Sequence, residues 1–344
     1  MSSRSLLSVV LSLFIYSTEI CADQLSLLTW QKYIDPAIVA QFEQETGISV
    51  VANYFEEDDD RDSIMASSDG AGYDLILVDD SKIHIYQRNG WLQQLSSDKV
   101  PNLKHIEYPW SGTTFDTSYV VPYFWGITGI AYRSDLVPDP ITSYYQIFKP
   151  VPELSKKIVM QNTAQVLIGS ALSALGHSIN SSESVHLEAA ERLLMEQRPH
   201  VLAYRSLSVT SDSKLLTGDA YVALSYSGDA LTLNRINSNI EFIVPKEGGV
   251  VWIDYWAVSE NSKRKTQAYK FLNFINRTDI ALKNAMYTFH ASPHKKVRQN
   301  LPESILKNPI IYPTDESLFK LEIYNEMSPE MMKRVTNIYL RVVN

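Results

Sequence analysis

Apolar positions along the chain switch repeatedly between a strand-like and a helix-like period. Leu25-Ser26-Leu27-Leu28-Thr29-Trp30 reads as a short strand. Asp35-Pro36 then opens a helix: Asp35 suits the cap, Pro36 suits the first position, Ile38, Val39 and Phe42 form the apolar stripe, and Gly47 stops it. Ile48 to Tyr54 is rich in β-branched residues and reads as a second strand. Tyr73 to Val78 reads as a third, followed by a helix from Ser81 to Asn89 that ends at Gly90. Alternation at this spacing predicts a parallel sheet with crossover helices, an α/β fold.

A second set of elements lies between roughly residues 120 and 250. Ile158 to Met160 is a short strand, Val166 to Leu175 a helix ending at Gly176, and Ser184 to Glu196 another helix. Tyr221 to Tyr226 and Ile240 to Val244 follow as strands, then helices over Ser262 to Asn276 and Glu330 to Val342. Within Val251-Trp252-Ile253-Asp254-Tyr255-Trp256, alternation puts Trp252, Asp254 and Trp256 on one face. No internal repeat and no low-complexity linker interrupts the chain.

The N-terminus changes the picture. Arg4 precedes an apolar run from Leu6 to Tyr16 that is too short to span a bilayer comfortably. It suits a signal-peptide core, with cleavage after Ile20-Cys21-Ala22; an N-terminal anchor is the alternative. Cys21 is the only cysteine, so a chain cleaved after Ala22 has no disulfide, thiol nucleophile or cysteine metal site.

Composition narrows the function. With 344 residues, 45% apolar and 20% charged, the chain is globular, and a net charge of -8 disfavours a nucleic-acid partner. Enzyme signatures are missing. The seven histidines are scattered, and Pro293 interrupts the four-residue spacing of His290 and His294. Gly126, Gly129 and Gly169 make no phosphate-binding loop. No metal and no cofactor is expected.

The positive signal is aromatic rings beside carboxylates at strand ends, where open α/β sheets bind ligands. Trp30 and Tyr33 follow the first strand, Asp79, Asp80 and Ser81 the third, and Tyr226, Ser227 and Asp229 a later one. A protonated amine in a dry cleft needs that combination: a carboxylate for charge, a ring face for cation–π contact and for the methylenes. The competing reading makes the rings core and the acids caps, with Asp80 capping the helix after it. Glu56-Glu57-Asp58-Asp59-Asp60 reads as a solvated helix start or as a cation-attracting rim. Adjacent Tyr144-Tyr145 hints at ferric binding, although strand alternation would point them apart. Another small solute, or an envelope hydrolase using the remaining carboxylates, stays open on residues alone.

Several blocks resemble the periplasmic spermidine/putrescine-binding proteins, the polyamine branch of the ABC-importer solute-binding family. They are Trp30-Gln31-Lys32-Tyr33-Ile34-Asp35-Pro36, Gln41 to Ile48, Tyr73-Asp74-Leu75, Val121-Pro122-Tyr123-Phe124-Trp125-Gly126, and Pro245-Lys246-Glu247-Gly248-Gly249-Val250-Val251-Trp252-Ile253-Asp254. The resemblance implies a two-lobed, type II-like solute-binding fold with a hinge and an interlobe ligand cleft. The expected division is a signal peptide at 1–22, one lobe from 23–128 with 253–298, and another from 129–252 with 299–344. It implies a soluble periplasmic monomer with a polyamine ligand. The expected ligand-binding residues are Trp30, Tyr33, Asp79, Asp80, Ser81, Tyr226, Trp252, Asp254, His290 and Asn325. Three departures stand out: Lys32 replaces a family Glu, and Thr163 and Val166 fall where importers carry acids. Relatives with altered pockets include the norspermidine-sensor branch of vibrios, which reports to a membrane GGDEF–EAL enzyme controlling cyclic-di-GMP and biofilm formation. An ABC permease is the alternative partner.

Overall fold

The computed structural model describes residues 23–107, 115–313 and 320–344, so the expected signal peptide lies outside the described residues. Ten strands form one mixed sheet: β1 (Gln24–Trp30), β2 (Ser49–Phe55), β3 (Leu75–Asp79), β4 (Val120–Arg133), β5 (Ile158–Met160), β6 (Val201–Tyr204), β7 (Val222–Tyr226), β8 (Ile240–Ile243), β9 (Gly249–Val258) and β10 (Leu321–Ile323). Their order is β2-β1-β3-β9-β4-β7-β5-β6, with β10 on β9 and β8 on β4.

The expected parallel crossovers hold at both ends of the sheet. β1 pairs in parallel with β2 and β3, and β5 with β6 and β7. The middle differs: β4 and β9 run antiparallel to each other, and β9 also to β3. β4 runs from one hydrophobic core to the other, with Val120 to Trp125 in the first and Ile130 and Tyr132 in the second, and β9 pairs along it. One core gathers Leu25 to Trp125 with Val251 to Tyr312; a second gathers Ile130 to Leu224 with Val335, Ile338 and Val342. A smaller third cluster lies under β8, around Leu215, Leu233 and Phe242. Leu301, Ile311 and Tyr312 pack into the first core.

Local chemistry explains the element ends. The Asp35 carboxylate accepts from the Ala37 N–H at 2.8 Å and caps α1 (Pro36–Thr46). Gly47 closes that helix at φ 70°, a conformation costly for any side chain, with its N–H on the Glu43 carbonyl. Three aspartates of the acidic run fill the first turn of α2 (Asp58–Ser67), where they complement the helix dipole. Asp80 caps nothing: α3 (Ile83–Arg88) begins three residues on, with Lys82 at the cap position and no side-chain cap bond. Tyr144 and Tyr145 open a short helix rather than lying on a strand, the first buried and the second exposed. His294 is buried and caps the helix Lys295–Asn300 through the Val297 N–H.

Candidate functional site

The seam between the two cores gathers side chains from chain segments far apart in sequence. From the β1–α1 turn, the Tyr33 hydroxyl donates to Asp254 Oδ2 at 2.6 Å. Burial, reinforced by that carboxylate, pushes the Tyr33 hydroxyl far up, so it remains a donor. Asp254 lies on β9 directly across from Asp79 of β3 on one side and Phe124 of β4 on the other. Trp252 stands two residues away on the same face.

The rings pack edge to face. His290 lies 5.2 Å from Tyr33, 5.8 Å from Phe124 and 5.3 Å from Trp252, centroid to centroid. Tyr226, at the end of β7 in the other half, meets Trp252 at 5.9 Å. Two glycines permit this crowding. A Cβ on Gly126 would sit 2.4 Å from the Trp252 indole, and one on Gly228 would sit 2.3 Å from His290 Nε2. Burial pushes His290 down to about 4, so its ring is neutral near pH 7 and adds no positive charge.

The same place holds an excess of acid. Burial pushes Asp254 up to about 7; its Tyr33 hydrogen bond opposes this and neighbouring Asp79 adds to it. Burial alone pushes Asp229 up to about 7. Asp80 is raised well above the usual carboxylate range, first by burial and then by Asp79 and Asp254. Its Oδ2, the Trp252 Nε1 and the His290 Nδ1 have no hydrogen-bond partner among the described residues. Carboxylates held this close in a dry seam repel one another, and a cation among them would offset the cost.

Behind Asp79 lies a feature the sequence reading missed. Arg61 of α2 is fully buried, bonded to Asp58 at 2.8 Å, Asp62 at 2.9 Å and Asp79 at 2.7 Å. Lys82 pairs with Asp62 at 2.6 Å. The signal was there in Asp58-Asp59-Asp60-Arg61-Asp62, a lone cation among acids, but such a run usually faces water.

The ten expected residues fare differently. Tyr33, Asp79, Asp80, Tyr226, Trp252, Asp254 and His290 converge on the seam. Ser81 turns back, donating through its N–H and hydroxyl to Asp79 Oδ1. Trp30 packs on Phe55 at 4.4 Å, and Phe55 in turn lies against Arg61. Asn325 is exposed, with its backbone N–H bonded to Asn180 Oδ1. Its neighbour Tyr324 lies nearer the group: its hydroxyl donates to the Gln165 carbonyl and feels the charge of Asp80. Among the departures, Lys32 is exposed in a left-handed turn at φ 62° and Val166 belongs to the second core.

Two contacts tie the halves together beside this group. The Ser206 hydroxyl donates to Glu57 at 3.0 Å, and Arg88 pairs with Glu326, which also lies 3.2 Å from His84. A groove of about 210 Å³ by Ala230, Asn234, Phe242 and Asn308 is separate and carries one carboxylate, Glu241. No helix among the described residues is long and apolar enough to cross a membrane.

Comparison with known proteins gives one answer. The family model for bacterial extracellular solute-binding proteins matches residues 37–313. The spermidine/putrescine-binding periplasmic protein of Salmonella typhimurium is 28% identical over 308 residues, 89% of this chain and 87% of that protein. The norspermidine sensor of Vibrio cholerae is 31% identical over 330 residues, 95% of this chain and 90% of that one. A solved spermidine/putrescine ABC transporter substrate-binding protein from Streptococcus pneumoniae superposes with TM-score 0.80 at 25% identity, covering 93% of this chain and 98% of that one. With its paired antiparallel central strands, two large cores and family match over most of its length, this chain belongs to the bacterial extracellular solute-binding proteins, which bind solutes rather than transform them.

Proposed function

We propose that the chain is a periplasmic polyamine-binding protein whose seam encloses a norspermidine- or spermidine-like ligand. The carrying observation is the group of carboxylates Asp80, Asp229 and Asp254 beside a box of rings, Asp80 and Asp254 buried and Asp229 half-buried, with no ion pair among the described residues. Each acid suits one ammonium group, and Trp252, Tyr226 and Tyr33 suit the methylenes between. We take β4 and β9 as the crossing strands between lobes and assign 299–313 to the first lobe, because Leu301, Ile311 and Tyr312 pack there.

In this reading the protein is a sensor that reports ligand to a membrane GGDEF–EAL enzyme and so influences cyclic-di-GMP and biofilm formation. Similarity to the Vibrio cholerae norspermidine sensor over most of both chains supports that choice. So does the loss of pocket acid where Thr163 and Val166 stand. Service as the binding subunit of an ABC polyamine importer is the second reading, favoured by similarity to the spermidine/putrescine-binding proteins.

The test is a thermal-shift and calorimetric titration of the protein with putrescine, spermidine and norspermidine. Saturation at 100 times the dissociation constant should stabilise by about 2.7 kcal/mol. No shift with any amine would refute the ligand assignment. Deletion separates the two roles: altered cyclic-di-GMP with intact uptake supports the sensor, and lost uptake supports the importer.

A further inference from the structure

Arg61 is an unusual residue to find beside a cation site. Its side chain has no solvent exposure and every guanidinium nitrogen is engaged. Nη1 donates to Asp58, Nη2 to Asp62 and Asp79, and Nε to Asp62 at 3.1 Å and the Tyr86 hydroxyl at 3.2 Å. Phe55 and Tyr86 flank it, 5.5 and 5.9 Å from the carbon to the ring centroids. It cannot swing aside without stranding three carboxylates.

The acids of the seam therefore fall into two sets. Asp79 spends Oδ2 on Arg61 and Oδ1 on Ser81, Asp58 spends Oδ1 on Arg61, and Asp62 serves Arg61, Lys82 and Tyr86. Asp80, Asp229 and Asp254 have no ion pair among the described residues, and Asp80, only 9% exposed, keeps Oδ2 without a hydrogen-bond partner. The sets adjoin, since Asp79 lies directly across from Asp254.

We propose that Arg61 is a specificity-determining residue, a built-in cation that withdraws Asp58 and Asp79 from ligand recognition and caps the ligand at three ammonium groups. The inference rests on the polyamine reading and names its selectivity. A fourth ammonium entering near Asp79 would meet a fixed guanidinium instead of a free carboxylate.

The experiment is a calorimetric titration with putrescine, norspermidine and spermine of four proteins: wild type, Arg61→Gln, Arg61→Lys and Asp58→Asn. Wild type prefers norspermidine to spermine. Arg61→Gln frees Asp58 and Asp79 and shifts the spermine-to-norspermidine affinity ratio upward by about tenfold, the worth of one charge-assisted contact. Arg61→Lys keeps the charge and retains the wild-type order. Asp58→Asn leaves norspermidine affinity within about threefold, since its carboxylate is already occupied. An unchanged ratio in Arg61→Gln overturns the proposal. If that variant does not fold, a loss in Asp58→Asn as large as that in Asp254→Asn overturns it. Wild type that binds amines with spermine preferred sinks this inference alone; wild type that binds no amine sinks the polyamine reading with it.

Discussion

The two halves of the molecule meet at the seam with unlike surfaces. The half built on the first core brings Asp58, Asp62, Asp79, Asp80 and Asp254, together with Arg61 and Lys82, and also the rings Tyr33, Phe124 and Trp252. The half built on the second brings phenols, amides and hydroxyls, namely Tyr226, Asn162, Ser206 and Tyr324, with the half-buried Asp229 as its acid. On the proposed reading, charge recognition therefore falls mainly to one wall, while both walls supply rings. On that reading a cation would find its strongest partners on one wall before the other closes, so the charged wall would set affinity and the covering wall residence time.

The largest expected effect tests that asymmetry directly. Asp254→Asn should weaken polyamine binding about 100-fold, ~2.8 kcal/mol, read by titration calorimetry. Asp229→Asn on the opposite wall should lose about tenfold; an equal or larger loss would erase the division of labour. Next is the ring box. Gly126→Ala drives a Cβ into the Trp252 indole and should cost about tenfold in affinity, with quenched or shifted tryptophan fluorescence as the check.

The pH dependence sharpens the comparison further. Asp254 and Asp229 titrate near 7 when folded, against an ordinary carboxylate value of 3.8. The folded state holds protons the unfolded chain has lost, so stability without ligand should fall as pH rises from about 4 to about 7. A polyamine needs the ionised forms, so its affinity should move the opposite way and drop several-fold from pH 7.5 to 6. Melting curves at both pH values, with and without norspermidine, check both signs. The smallest effect belongs to the latch: Glu57→Gln weakens the Ser206 contact by about 0.5–1.5 kcal/mol and should speed ligand release by less than tenfold in stopped flow.

Much of the architecture was legible in the chain. Asp35, Pro36 and Gly47 mark the first helix because capping and left-handed turns are local chemistry. Alternation along β9 correctly placed Trp252 and Asp254 together. What escaped detection depends on partners remote in sequence. The run around Asp58 looked solvated because nothing local says that Phe55 and Tyr86 bury Arg61 or that Asp79 completes its shell. The competing reading of Asp80 as a cap arose because helix starts are uncertain by a turn, and α3 begins later. Tyr324 went unnoticed because nothing local says that its hydroxyl reaches the Gln165 carbonyl, 159 residues away in sequence.

The placement of β9 between β3 and β4 has a consequence for how the chain is made. The segment between the two crossing strands folds around its own core, while β3 keeps an open edge until residues 249–258 arrive. A polypeptide emerging from its N-terminus must therefore carry an incomplete first lobe through most of its synthesis. Such late, long-range pairing slows folding and exposes an unpaired edge to aggregation. Slow acquisition of structure is also what a chain needs if it is to thread a translocation pore before it locks.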